Sequence, residues 1–209
     1  MRESALRRLA SIAAPPGCGA CGLACPSGAV ICGGCERALR GFRALVSAGP
    51  REVDLAIAAG EYSGRLRAVA HGLKFGRRLS LARPAAEAMI RACPPAELRG
   101  VLVPVPAAPW RRRWRGFDPA EELALALAAL TGLPFRDCLR RCSGPRQVGR
   151  SRADRVADPP RVRLSGEAPA EALLVDDVHT TGATLGACAA ALRAGGCARV
   201  VALTLARSR

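Results

Sequence analysis

The hydrophobic pattern of the chain alternates between two periods. Apolar runs of five to seven residues suit buried strands, whereas the spacing of Leu66, Val69, Ala70 and Leu73 suits a helix. Strands that alternate with helices predict an α/β protein whose mainly parallel sheet is flanked by helices. The predicted strands cover 53–58, 100–106, 172–176 and 199–205, and the predicted helices cover 65–75, 81–92, 119–130 and 184–194.

Local signals fix two of these elements. Asp118 is a capping residue, Pro119 occupies the first helical position, and Glu121 lies three residues after the cap, so a helix begins here and stops at Gly132. The last strand, helix and strand, joined by a loop over 177–183, are typical of a right-handed βαβ unit.

Three stretches stand apart from this pattern. Residues 1–17 predict a short amphipathic helix, and 110–117 predict a basic loop that carries two tryptophans. Residues 136–163 hold nine arginines and no aromatic residue, which favours either a long mobile loop or a short strand followed by one. Glycine and proline between 40 and 52 predict a boundary between an N-terminal module, 1–45, and a larger domain, 50–209.

Half of the ten cysteines lie within 18–35. Two C-x2-C pairs separated by ten residues are typical of a structural zinc ribbon or knuckle, in which four thiolates fill a tetrahedral site. Cys25 is a fifth candidate ligand, and an iron–sulfur cluster, a redox dithiol or a site that binds nothing remain alternatives. The predicted zinc ligands are Cys18, Cys21, Cys32 and Cys35.

The net charge and the length of the apolar runs bear on the partners and the location of the protein. The formal net charge is +15 and the pI about 10.9, which suits nucleic acid or another polyanion. Lys74 is the only lysine, however, so a GC-rich coding bias toward arginine explains the charge equally well. No apolar run approaches a membrane span, and residues 1–16 make a poor signal peptide, so we expect a cytoplasmic protein without membrane insertion.

The stretch from Ala172 to Leu185 carries the candidate chemistry. An apolar strand ends on Asp176 and Asp177, and a turn rich in threonine and glycine leads into a helix. Backbone N–H groups at a helix N-terminus bind phosphate, while adjacent carboxylates accept hydrogen bonds from ribose hydroxyls. The pattern therefore predicts a ribose 5-phosphate site. It is neither a Walker loop nor G-x-G-x-x-G, and an acidic cap followed by a threonine-rich turn is the simpler alternative.

These motifs together resemble the ComF family, which is linked to DNA uptake in competent bacteria and has a type I phosphoribosyltransferase-like fold. The resemblance covers about 18–206. Its motifs are the paired C-x2-C turns, Leu73-Lys74-Phe75, Val103-Pro104-Val105-Pro106, Arg115-Gly116-Phe117-Asp118, the series Arg140, Gln147 and Arg155, and the signature 173–184.

The resemblance implies a site for phosphoribosyl pyrophosphate. Asp176 and Asp177 would be the catalytic acids that hold the ribose, Lys74 and Arg115 would contact the pyrophosphate, and the arginines of 140–158 would close over the site. Mg²⁺ would accompany the pyrophosphate, and zinc would be structural. The turn that would hold the 5′-phosphate consists of Thr180, Thr181, Gly182, Ala183 and Thr184.

Two functions fit this resemblance. One is transfer of a phosphoribosyl group to an unknown acceptor, and the other is a non-catalytic scaffold that contacts single-stranded DNA or competence and recombination proteins. His179 is expected to be a spacer, and Trp110 and Trp114 either stack a base or pack on the surface. The chain departs from the family at Asp118-Pro119, where Asn-Gln is usual, and it lacks a further C-x2-C after Arg40.

Overall fold

The computed structural model describes residues 17–76, 78–142 and 160–208. The strands are β1 (Leu45–Ala48), β2 (Leu55–Ala58), β3 (Val101–Pro104), β4 (Leu139–Arg141), β5 (Val162–Leu164), β6 (Glu171–His179) and β7 (Arg199–Arg207). Five of these strands form a mixed, mainly parallel sheet in the order β1-β2-β7-β6-β3, in which only β1 is antiparallel to its neighbour. A second, two-stranded sheet pairs β4 with β5.

Helices cover both faces of the large sheet. Successive residues of a strand point to opposite faces, so Leu173 and Val175 pack with one set of helices while Ala172 and Leu174 pack with the other. The helices are α1 (Gly33–Arg40), α2 (Gly64–Phe75), α3 (Ala82–Ala92), α4 (Pro109–Arg115), α5 (Pro119–Thr131) and α6 (Ala183–Ala194). The first face is covered by α2, α3 and α5, and the second by α6.

This architecture confirms the predicted α/β class with a mainly parallel sheet and an N-terminal four-cysteine cluster. The predicted cap is also confirmed, because the Asp118 carboxylate accepts a hydrogen bond from Ala120 N at 3.1 Å and α5 ends at Gly132. Leu39 of α1 is buried in the same core as the helices of the large sheet. The division of the chain into 1–45 and 50–209 stays a prediction.

Two predicted loops are wrong. Most of the stretch 110–117 belongs to α4 (Pro109–Arg115), because Pro109 starts a helical turn and Gly116 ends it at a φ of 81°. The loop expected from 177 begins later, because β6 stays paired with β7 as far as His179. The sequence pattern also missed β1, which is only four residues long.

The arginine-rich stretch is described only in part. Its described residues include β4 and most of β5, and 143–159 lie outside the described residues, as do residues 1–16 of the helix predicted over 1–17. None of the helices in the described ranges is long and apolar enough to cross a membrane.

Candidate ligand cavity and four-cysteine cluster

A cavity of about 550 Å³ opens beside the carboxyl ends of β3 and β6. These strands are parallel neighbours, with Pro104 opposite Val175, so the segment after β3 and the end of β6 lie together. Ligands of α/β proteins bind at this edge of the sheet. All the residues predicted from the resemblance as ligand contacts line it: Lys74, Arg115, Asp176, Asp177, Thr180, Thr181, Gly182, Ala183 and Thr184.

The two acids point to opposite faces of β6 and have different partners. Lys74 Nζ lies 3.0 Å from Asp177 Oδ1 and 2.8 Å from Oδ2, so the ammonium group bridges a buried carboxylate. Asp176 is half-buried and accepts a hydrogen bond from Asp177 N at 2.8 Å. Its pKa is raised well above the ordinary value by burial and by the adjacent Asp177 carboxylate, although Lys74 opposes the shift.

The turn after β6 delivers backbone donors to the cavity. Gly182 has a φ of 77° and caps α6, whose first N–H groups have no partner within the helix, although Ala183 N donates to Thr181 Oγ1 at 3.3 Å. A Cβ at this position would lie 2.6 Å from Pro50 Cβ, so both the backbone and the packing require glycine. Thr181 and Thr184 are half-buried beside these amides. The helix N-terminus can therefore bind an anion.

Three guanidinium groups reach the cavity from two other elements. Arg111 and Arg115 come from α4, and Arg141 comes from β4. Burial and the nearby charge of Arg111 lower the pKa of both Arg115 and Arg141. Arg115 is buried, stacks 5.0 Å from the centre of the Phe75 ring, and leaves its Nε without a hydrogen-bond partner. Within the described ranges none of the three forms an ion pair, so the cavity suits a ligand with several negative charges.

Asp118 joins the helix cap to the segment after β3. Besides capping α5, its carboxylate accepts a hydrogen bond from Ala107 N at 2.7 Å. Burial raises the pKa of Asp118. The two backbone N–H groups oppose this shift, and the neighbouring acids add to it. This carboxylate fixes one wall of the cavity, and so the Asp that departs from the family pattern has a clear structural role.

The sequence placed Arg141 only within the arginine-rich stretch 140–158 and did not single it out. Its neighbour Arg140, which the resemblance singled out, pairs instead with Asp137 at 2.6 Å and does not line the cavity. Adjacent residues of a strand face opposite ways, and only the pairing of β4 with β5 decides which arginine enters.

One histidine and one of the two tryptophans line the cavity. His179 is buried in β6 and lines the cavity, where burial and the nearby Arg207 lower its pKa. Trp110 also lines the cavity, whereas Trp114 is 72% exposed and lies outside it.

The N-terminal cysteines form a cluster that can hold a metal ion. The sulfur atoms of Cys18, Cys21, Cys32 and Cys35 all lie within 4.8 Å of one another. Cys21 Sγ and Cys32 Sγ are 3.8 Å apart, and a tetrahedral site with Zn–S bonds of about 2.3 Å requires about this separation. Cys25 stays outside this set, because its thiol donates to Ala29 O at 3.3 Å.

Backbone donors favour a thiolate in the cluster. Burial acts to raise the pKa of Cys18, but N–H groups of Cys21, Cys32 and Ala20 lower it from 9.0 to about 6. Cys32 N lies 3.2 Å from Cys18 Sγ in one of these bonds. A thiolate is the form that ligates a metal.

Comparisons with known proteins add no family to this picture. Neither a scan against models of protein families nor a search of curated proteins found a match.

Proposed function

We propose that the cavity binds phosphoribosyl pyrophosphate and that the protein transfers its phosphoribosyl group to an acceptor. The observation that carries the proposal is the convergence of three kinds of group on one cavity. These are a helix N-terminus with threonines, an acid pair, and three guanidinium groups that form no ion pair in the part of the chain that the structure describes. Each suits a different part of this one molecule.

The phosphate and the ribose would occupy the end of β6. The 5′-phosphate would accept hydrogen bonds from the amides that follow Gly182 and from the hydroxyls of Thr181 and Thr184. The carboxylates of Asp176 and Asp177 would accept hydrogen bonds from the ribose hydroxyls. Lys74 keeps Asp177 in place for this role, because its ammonium group contacts both carboxylate oxygens.

The pyrophosphate would lie toward Arg111, Arg115 and Arg141. Guanidinium groups form strong, charge-assisted hydrogen bonds to phosphate oxygens, and the buried Nε of Arg115 has no hydrogen-bond partner among the described residues. Mg²⁺ is held by phosphate oxygens with one or two carboxylates, a donor set that this ligand and Asp176 would supply. When bound, it would neutralise charge on the leaving pyrophosphate.

We also propose that the four-cysteine cluster holds a structural zinc ion. Four thiolates complete a tetrahedral shell, so no coordination position is left for a substrate.

Calorimetric titration tests the ligand proposal. Full-length protein with Mg²⁺ should bind phosphoribosyl pyrophosphate, and Asp177→Asn should weaken the affinity about tenfold or more, because a charged acceptor for the ribose is lost. Asp137→Asn is the matched control, since Asp137 pairs with Arg140 outside the cavity. An unmutated protein that binds nothing sinks the proposal.

A second candidate function is contact with single-stranded DNA. It is favoured by Trp114 and Arg113, which are both exposed on α4 beside the cavity. Aromatic side chains flanked by arginine stack bases without reading sequence. Binding of an oligothymidylate, followed by fluorescence anisotropy, should fall with salt and weaken about fivefold or more in Trp114→Ala. An unchanged affinity in that variant counts against this surface.

A further inference from the structure

A continuous set of contacts connects the four-cysteine cluster to the ligand cavity. These contacts pass through the last turn of α2. Arg78, which follows this helix, connects it to the turn that contains Cys18 and Gly19, here called the metal-binding turn. Arg78 Nη1 donates to Gly19 O at 2.8 Å and to Cys18 O at 3.3 Å. The backbone N–H of Arg78 also donates to Gly72 O at 3.3 Å, so Arg78 holds both partners.

The metal-binding turn and α2 approach each other closely at Gly19 and Gly72. A Cβ on Gly72 would lie 3.1 Å from Gly19 O and 2.6 Å from Leu81 Cδ1, and a Cβ on Gly19 would lie 2.9 Å from Leu81 Cδ2. Packing this tight transmits a displacement instead of absorbing it. A shift of the metal-binding turn will therefore move the end of α2.

The same turn of α2 supplies two residues to the cavity. Two positions after Gly72, Lys74 bridges both oxygens of Asp177. Its neighbour Phe75 lies under the guanidinium group of Arg115. The position of this turn thus sets the geometry of both the acid pair and one phosphate-binding arginine.

We propose that the metal-bound four-cysteine module positions Lys74 on Asp177, and that Arg78 is the positioning residue that connects them. Metal occupancy would then control the ligand site from outside it. This inference draws its functional meaning from the proposed ligand site, but the position of Lys74 can be measured without any ligand.

The single lysine makes that measurement direct. An amine-reactive acetylating ester modifies no side-chain ammonium group other than Lys74, and the reaction requires Nζ to leave Asp177. We expect the zinc-loaded protein to acetylate slowly at Lys74, as followed by mass spectrometry. Removal of zinc with a chelator, or Arg78→Ala with zinc retained, should raise the rate about threefold or more.

Matched variants separate positioning from a general loss of stability. Arg67 of α2 and Arg78 line one groove between α2 and the metal-binding turn, but among the described contacts only Arg78 donates a hydrogen bond to Gly19 or Cys18. Arg67→Ala should therefore acetylate at the original rate. Arg78→Lys keeps one donor for the metal-binding turn and should restore an intermediate rate. Either of two results overturns the inference: an Arg78→Ala protein with zinc and an unchanged acetylation rate, or a folded, zinc-free protein that acetylates no faster.

Ligand binding gives a second, separable result. If phosphoribosyl pyrophosphate binds, Arg78→Ala should lower its affinity about threefold or more, and the ligand should slow zinc loss to a chelator because coupling is reciprocal. If the unmutated protein does not bind this ligand, the proposed function fails, while the acetylation rates still decide whether the module positions Lys74.

Discussion

At the scale of single residues, the cavity contains a carboxyl group, that of Asp176, whose ionisation is unfavourable. Asp176 is desolvated and lies next to the Asp177 carboxylate, so its pKa is raised in the folded protein. The carboxyl group has a pKa of about 3.9 in the unfolded chain and a higher pKa in the folded protein. At pH values between these two pKa values, the folded state binds more protons than the unfolded state. The free energy of unfolding therefore falls as pH rises through this window.

Asp176→Asn should remove this loss of stability. The amide cannot ionise, yet its oxygen still accepts the hydrogen bond from Asp177 N. We expect the variant to gain stability relative to the unmutated protein as pH rises from 4 to 7, measured by urea unfolding at each pH. A stability difference that is constant with pH, or that shifts toward the unmutated protein, would show that Asp176 ionises at no cost.

Gly182 gives a second prediction at this scale. Gly182→Ala should lose about 1–2 kcal/mol for its left-handed backbone and a further 1–3 kcal/mol for overlap with Pro50. Gly132→Ala is the matched control, because its φ is 74° but nothing lies within 4 Å of the added Cβ. Thermal unfolding compares the two, and equal losses would contradict the packing argument. Only Gly182→Ala should also lose the ligand.

At the scale of elements, the sequence predicted what depends on local chemistry. The cap of α5, the strand that carries the two acids and the cysteine spacing are all readable from neighbours in the chain, although β6 continues past the acids to His179. By contrast, α4 was missed because Trp110 to Arg115 has no amphipathic period, although Pro109 and Gly116 mark both of its ends. The choice between Arg140 and Arg141 was missed because strand pairing, not composition, decides which side chain faces the cavity.

The four-cysteine module yields a prediction about metal content. Purified protein should contain about one zinc ion per chain, and Cys35→Ser should lose most of it, because the tetrahedral shell is broken. Cys25→Ser is the matched control, since this cysteine is buried beside the cluster but bonds to Ala29 O. Elemental analysis distinguishes them. Equal zinc in Cys35→Ser and Cys25→Ser would contradict the ligand set.

At the scale of the whole molecule, the fold gathers distant parts of the chain at one edge of the sheet. Lys74 and Asp177 are 103 positions apart in the sequence, and no local pattern foretells their contact. The resemblance placed both residues near one ligand, but the ion pair itself depends on tertiary structure, because α2 packs against β7 and brings Lys74 to the end of the neighbouring β6. Position also matters for the positive charge, because three arginines that form no ion pair with any described residue line the cavity.

The central claim is that one cavity recognises phosphate, ribose and pyrophosphate together. The most direct measurement is a calorimetric comparison of phosphoribosyl pyrophosphate with ribose 5-phosphate, both with Mg²⁺ and the unmutated protein. We predict one site per chain and an affinity about tenfold or more higher for phosphoribosyl pyrophosphate, because only that ligand reaches the guanidinium groups. Equal affinity for the two ligands, or binding of neither, would contradict the account.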